Sequence, residues 1–372
     1  MSVRIVVTGG DGFIGQNLRV RLRELGHTDV VSVTRGTGED ALRAAVANAD
    51  FVFHLAGANR PVDASEFTAI NANFTATVCE ALRATGRPVA IVYSSSYQAS
   101  LGTPYGRSKR AGEIEIERYG AATGSRAVVL RLTNVFGKWS RPNYNSVVAT
   151  FCHNIARGLP IIVHDPAAPL RLLYVDDVVH AMIQMLDPAD ARSGLVEVGP
   201  VYATSVGDLA AMLHAFAESR GTLTIPRVGV GLTRALYATY VSYLPPEDFA
   251  YGLRPHADPR GIFVEMLRTL DSGQFSYFTA PPGVTRGGHY HHSKTERFLV
   301  VKGTARFGFR HVVTEETFEL IVRGDASRVV EAVPGWAHNI TNVGQEEMVV
   351  LLWANEVFDP ERPDTISAAV KP

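Results

Sequence analysis

The sequence predicts two successive folds: a doubly wound parallel α/β sheet over about residues 1–250 and an all-β barrel over about 255–372. Three observations predict them. Up to about Arg192, short runs rich in Val, Ile and Leu alternate with longer stretches of helical periodicity, the pattern of parallel strands joined by crossover helices. Beyond Phe263 the pattern becomes short strands at close spacing, with Gly and Pro between them. Between the two, prolines cluster at Pro245-Pro246 and Pro259, where helical periodicity stops.

The strands expected in the first part are Val3–Val7, Val30–Thr34, Phe51–Leu55, Val89–Ser94 and Ala127–Leu132; those in the second include Gly273–Thr279, Glu296–Lys302, Thr304–Arg310 and Glu347–Ala354. A chain of 372 residues can bury two cores. With 36 Lys and Arg against 37 Asp and Glu, it has no electrostatic reason to bind nucleic acid or an anionic membrane, which leaves small molecules as the expected ligands. No apolar run reaches the ~18 residues of a membrane span, and the apolar start lacks the basic region and cleavage site of a signal peptide. Cys79 and Cys152 each sit in an apolar, helical stretch, which reads as two core thiols and a reducing cytoplasm.

Thr8 to Gly15 follows the first strand and opens a helix, with Gly9, Gly12 and Gly15 spaced three apart around Phe13 and Ile14. Glycines there permit a tight turn, a close approach of backbone to a pyrophosphate, and helix N-terminal N–H groups facing the anion. An NAD site carries an acidic residue about 20 positions later for the ribose 2′-hydroxyl. Here the second strand ends in Thr34-Arg35, and a guanidinium suits a 2′-phosphate, so NADP(H) is the expected cofactor. Tyr105 and Lys109 lie four apart, on one face of a helix, where the ammonium would lower the phenol's pKa. A tyrosine so placed can protonate a carbonyl oxygen as hydride arrives, and Ser94-Ser95-Ser96 at a strand end supplies a hydroxyl to hold that oxygen.

With these residues in view, roughly residues 1–245 resemble the extended short-chain dehydrogenase/reductase family, whose fold is a Rossmann-type sheet. His54-Leu55-Ala56-Gly57, Asn71, Arg131 through Gly137, and Tyr174 through Val178 match its recurring segments. The resemblance implies a catalytic triad of Ser96, Tyr105 and Lys109, with Ser95 the alternative hydroxyl, and a cofactor site that includes Leu55, Ala56, Gly57 and Asn71. It implies substrate contacts from Asn134, and from Asn143, Asn145 and Arg171, where the family holds a nucleotide diphosphate. Its dehydratases carry an acidic pair directly after the catalytic hydroxyl. This chain has Tyr97-Gln98 there, which disfavours elimination of water and leaves ketone reduction.

In the second part, Gly283 through Gly303 reads G-x5-H-x-H-x4-E-x6-G, and Gly335 through Asn342 reads G-x2-H-x3-N. Alternate histidines on a strand share a face, so His289 and His291, with Glu296 on the next strand and His338 from a later hairpin, form a candidate ligand set. His292 would point to the other side. These motifs resemble the cupin family, which implies a cupin barrel. Ligand type does not choose among Zn, Fe, Mn and Ni, and redox-silent zinc fits best because nothing indicates oxidative chemistry. Asp258 through Glu265 resembles the D-x-R-G-x-F-x-E segment that opens cupin-type epimerases of deoxy-ketosugars.

End to end, the chain resembles the bifunctional epimerase/reductases of capsular polysaccharide synthesis. That resemblance implies a homodimer acting on a UDP-sugar: the cupin epimerises carbon 3 of UDP-2-acetamido-2,6-dideoxy-hexos-4-ulose, and the N-terminal domain reduces the 4-ketone with NADPH. The competing readings are a reductase with a purely structural or dimerising cupin, and a non-enzymatic NADP sensor.

Overall fold

A computed structural model describes residues 3–59, 63 and 65–370. The chain forms two compact units, residues 1–214 with 234–245 and residues 215–233 with 246–372.

The first unit is built on a six-stranded, wholly parallel sheet. Its strands β1 (Ile5–Thr8), β2 (Val30–Val33), β3 (Phe51–His54), β4 (Ala90–Ser96) and β5 (Ala127–Leu132) lie in the order β2-β1-β3-β4-β5, with Gly194–Val196 on the far edge. These are the five strands expected, shifted by a residue or two at their ends. Every residue of β1 and β3 is buried, as a sheet covered by helices on both faces requires. Under it, Val6, Val52, Ile91, Tyr93 and Val129 pack with Leu42, Leu82, Ile116 and Tyr119 from the helices. Cys79 and Cys152 are buried, free thiols, as the sequence suggested. Ile5 pairs with Val30 on one side and Phe51 on the other, so the chain leaves β1 in opposite directions at this point. Such a switch opens a crevice beyond the carboxyl ends of β1 and β3.

The second unit consists of two antiparallel sheets around their own core, the arrangement expected of a cupin barrel. Seven strands make one sheet and five the other. Phe278, Phe298, Val300, Phe307, Ile340 and Val350 fill the space between them. The one parallel pair joins Thr224–Ile225 to Gly261–Thr269, with Thr224 opposite Arg268. That pairing, together with the Arg227–Asp271 ion pair at 2.8 Å, groups residues 215–233 with the barrel.

No described helix is long and apolar enough to cross a membrane.

Candidate active site and metal centre

The glycine turn is built as its spacing suggested. Gly9 has φ +67°, and a Cβ there would lie 2.7 Å from the backbone nitrogen of Ala56. A Cβ on Gly15 would lie 2.3 Å from the carbonyl oxygen of Gly9, so the helix Phe13–Glu24 can start this close to the strand only without one. No side chain caps that helix: Gly12 stands at its N-cap position, and Gly12, Phe13 and Ile14 line the cavity. Beneath the turn, His54 joins β1 to the next helix. Thr8 Oγ1 lies 2.6 Å from its Nδ1 and Thr75 Oγ1 lies 2.8 Å from its Nε2. The Thr75 hydroxyl donates to the Asn71 carbonyl, so His54 Nε2 must carry the proton, and burial drops its pKa to about 3, keeping the ring neutral.

A cavity of about 1120 Å³ runs from Gly12, Phe13 and Ile14 past Arg35, Leu55 and Gly57 to Ser96, Tyr105 and Lys109, and on to Asn134, Asn143 and Asn145. Arg35 is exposed at its edge and has no ion-pair partner among the described residues. Ala56 and Asn71 do not line it. Asn71 sits in a π-helical turn, Thr68–Asn73, that turns it into the interior, where it bonds Ala58 in both directions at 2.9 and 3.0 Å and Ser108 at 3.0 Å. Those bonds tie it to the wall of the site at Ala58 and Ser108. Arg171 also falls outside. On the strand Pro169–Tyr174 it is Leu170 and Leu172 that face the cavity, and strand alternation puts Arg171 on the other side.

The helix Pro104–Thr123 presents Tyr105 and Lys109 to the cavity. Thr103 Oγ1 caps it by accepting from Gly106 N at 3.0 Å, Pro104 takes its first turn, and Gly124 ends it in the left-handed conformation. The two serines have different partners. Ser95 Oγ donates to Glu113 Oε1 at 2.6 Å and is thereby committed to a buried carboxylate that also binds Arg131 and Arg110. Ser96 instead hydrogen bonds to Tyr105. Burial raises the Tyr105 phenol above its ordinary value, with the Ser96 bond opposing, so it is protonated at neutral pH. The lowering expected from Lys109 does not arise, because the ammonium donates to the Ser94 carbonyl at 2.9 Å and lies 3.5 Å from the Tyr93 hydroxyl. Burial pulls Lys109 itself down to about 8, with the Glu113 charge opposing. Motif reading missed Trp139 and Tyr144, two exposed aromatics on the far wall; Trp139 has φ +67°. No local spacing signals them.

In the second unit the four expected donors converge. The ligand atoms of His289, His291, Glu296 and His338 all lie within 4.8 Å of one another, and all but His289 are fully buried. His289 stands opposite His338 across a β-bulge at residues 287–289. Glu296 Oε2 lies 3.4 Å from Nε2 of both His291 and His338, and Glu296 Oε1 lies 3.0 Å from Lys294 Nζ. His338 Nε2 is buried with no hydrogen-bond partner, an unsatisfied nitrogen aimed into the cluster, and burial holds His289 neutral with a pKa near about 4. Neutral imidazoles and a carboxylate, with one nitrogen left unbonded, fit a divalent cation. His292 is exposed and outside the cluster, as its place in the strand implied. A second cavity of about 470 Å³ reaches this cluster at His289 and Glu296 and is lined by Asp258, Arg260, Arg286 and Lys294.

Comparison with known proteins finds matches to both units. The NAD dependent epimerase/dehydratase family matches residues 5–199, and the polysaccharide biosynthesis C-terminal domain matches residues 256–366. A UDP-2-acetamido-2,6-beta-L-arabino-hexul-4-ose reductase of Pseudomonas aeruginosa is 52% identical over 368 residues, 99% of each chain. The crystal structure of the capsular polysaccharide assembling protein CapF from Staphylococcus aureus superposes with a TM-score of 0.92 at 41% identity, covering 99% of this chain and 100% of that one. MoeE5, solved with UDP-glucose and NAD, shares the fold of the first unit at a TM-score of 0.55 and 23% identity, over 64% of this chain and 98% of its own. A parallel sheet opening on a glycine turn, the Ser-Tyr-Lys group beside it, and a relative similar from end to end agree: the chain belongs to the NAD dependent epimerase/dehydratase family and carries a polysaccharide biosynthesis C-terminal domain.

Proposed function

We propose that this chain is an NADPH-dependent 4-ketoreductase of a UDP-sugar whose C-terminal unit is a metal-dependent 3-epimerase. The observation that carries the reading is the meeting of Ser96, Tyr105 and Lys109 in one cavity with the glycine turn. The substrate is UDP-2-acetamido-2,6-dideoxy-hexos-4-ulose and the product UDP-2-acetamido-2,6-dideoxy-L-talose, on the way to UDP-N-acetyl-L-fucosamine for a capsule or O-antigen. The end-to-end likeness to a UDP-2-acetamido-2,6-beta-L-arabino-hexul-4-ose reductase supports that choice.

NADPH, when bound, supplies the hydride. Tyr105 donates its proton to the oxygen of the 4-ketone, and the rise in its pKa keeps it in the donating form. Ser96, hydrogen bonded to that phenol, orients the same oxygen. Lys109, anchored on the Ser94 carbonyl, adds a buried ammonium to the same cavity, and Arg35 at the cavity edge meets the 2′-phosphate. Asn143 and Asn145 line the part of the cavity suited to the nucleotide diphosphate. Tyr97 and Gln98 follow Ser96 where an elimination would need an acid and a base, and the Gln98 amide is bonded to Ser96 Oγ at 3.2 Å.

A divalent metal, zinc on this reading, would be held by His289, His291, Glu296 and His338, and would supply Lewis-acid stabilisation of negative charge next to carbon 3. The carbon-3 proton is acidic only while the 4-ketone exists, so epimerisation precedes reduction. Two free buried thiols suit a reducing cytoplasm, and a homodimer is the expected assembly.

The test is to incubate the purified chain with NADPH and a panel of nucleotide 4-keto sugars, following the nicotinamide absorbance. Oxidation with the UDP-2-acetamido-2,6-dideoxy sugar ahead of its dTDP and GDP counterparts is expected. No oxidation with any member of the panel would overturn the reading.

A further inference from the structure

The loop that carries the chain from His291 to Glu296 spans two of the four clustered donors, and its amides are satisfied by a residue about seventy positions away. Asp364 Oδ1 accepts from His292 N at 2.9 Å. Its Oδ2 accepts from Ser293 N at 2.7 Å, from Lys294 N at 2.8 Å and from Ser293 Oγ at 3.0 Å. Three consecutive amides converging on one carboxylate fix the curvature of the loop, and with it the separation of His291 from Glu296.

The backbone carbonyl of the same residue receives Nδ1 of His291. A carbonyl can only accept, so Nδ1 carries the proton and the lone pair lies on Nε2, the atom that faces Glu296. Just beyond Asp364 the chain pairs as a strand with the ligand strand: Ile366 lies opposite Tyr290, Ser367 opposite His289, and Ala368 N donates to Gly288 O at 2.9 Å. One short segment thus touches both histidines of the H-x-H pair, one by backbone pairing and the other by a ring hydrogen bond.

We propose that Asp364 is a positioning residue of the metal centre: its carboxylate shapes the 292–294 loop and its carbonyl selects the His291 tautomer, so the donor set is preorganised for a divalent cation. The proposal rests on the metal reading given above. Carboxylates and carbonyls that hold ligand histidines in this way typically account for 10–100-fold in metal affinity. The carboxylate acts on two donors through the loop without touching the metal, so its loss should lower affinity for the ion without removing a ligand.

The experiment uses the full chain, stripped of metal and titrated with Zn²⁺ in competition with a chromophoric chelator. Asp364→Ala should bind Zn²⁺ about 10–100-fold more weakly than the unaltered chain, and Ser293→Ala, which loses a single hydroxyl bond, should stay within about threefold. Asp364→Asn keeps the shape and one accepting oxygen but turns an amide N–H toward the loop donors. It should fall between the two, and it decides the question if the alanine variant does not fold. Urea unfolding of the metal-free proteins separates stability from affinity. Asp364 variants that unfold earlier yet bind Zn²⁺ within about threefold of the unaltered chain would overturn the proposal. An unaltered chain that takes up no Zn²⁺ would overturn the metal reading itself, and this proposal with it, whereas a normal unaltered chain with indifferent variants sinks only the role of Asp364.

Discussion

Replacing Lys109 by Met should remove reduction and at the same time change how stability depends on pH. Lys109 is 4% exposed, and burial pulls its pKa from 10.5 to about 8. Because the folded value lies below the unfolded one, the unfolded chain binds the extra proton between pH 8 and 10.5, and the native fold loses stability as pH falls through that window. Below about pH 7 the deficit is complete, and a depression of this size corresponds to about 3 kcal/mol. At pH 9.5 roughly 1.4 kcal/mol of it remains. Methionine carries no charge and has none of this dependence. It also leaves the Ser94 carbonyl without the bond it now receives at 2.9 Å, an offset of about 1–3 kcal/mol that does not vary with pH. The sign of the difference at any one pH therefore depends on that offset, but its slope does not. Urea unfolding followed by far-ultraviolet circular dichroism, for both proteins from pH 7 to 9.5, should show the unaltered chain gaining about 2 kcal/mol on the variant. A stability difference that stays constant across that range would refute the claim that Lys109 is a buried cation held at a cost for function.

Tyr105→Phe should lower ketone reduction by ~10²–10⁴-fold while NADPH binding, measured by fluorescence, is unchanged; near-normal turnover would mean that another group delivers the proton. Arg35→Asp should narrow or reverse the preference for NADPH over NADH in kcat/KM, and equal efficiencies in the unaltered enzyme would remove the guanidinium from the 2′-phosphate. Gly15→Ala places a methyl 2.3 Å from the Gly9 carbonyl oxygen, which should weaken NADPH binding and destabilise the first unit by about 1–3 kcal/mol. Without NADPH the chain should exchange the substrate's carbon-3 proton with deuterated solvent; His338→Ala should stop that exchange, and Tyr105→Phe should leave it running, as followed by proton NMR.

Features written in short-range spacing were legible before any coordinates. The strands of the parallel sheet announce themselves as runs buried on both faces, and the glycine turn, Tyr105 with Lys109, and the H-x-H pair are each set by one element's periodicity. Features set by contacts between elements were not. Periodicity alone does not separate Ser95 from Ser96, the one favoured by the family resemblance, and it is Glu113, on the helix packed behind them, that takes the Ser95 hydroxyl and leaves the other. The family resemblance makes Asn71 a cofactor contact and Arg171 a contact to the substrate's diphosphate, and neither lines the cavity: a π-helical turn carries Asn71 inward, and Leu170 and Leu172 take the cavity side of the strand that holds Arg171. Asp364 carries no motif at all, since its meaning lies in three amides some seventy residues earlier.

The two sites meet the same electrostatic demand from opposite sides. Reducing a ketone and removing a proton beside one both place negative charge on the carbonyl oxygen. In the first unit every group at the reacting position is a donor: a phenol held in its protonated form, a serine hydroxyl, and an ammonium that donates to the Ser94 carbonyl and lies beside a tyrosine hydroxyl. Such a set can receive the charge directly, by giving up a proton. In the second unit the cluster is made of acceptors. Glu296 is a carboxylate paired with Lys294, His291 turns its Nδ1–H to a carbonyl, and His338 Nε2 makes no hydrogen bond. Acceptors cannot stabilise an oxyanion, and crowding them within 4.8 Å is unfavourable unless a cation joins them. The donor site therefore suits a step that ends with a proton on oxygen, while the acceptor site suits one in which oxygen is charged only in passing and the ketone is returned.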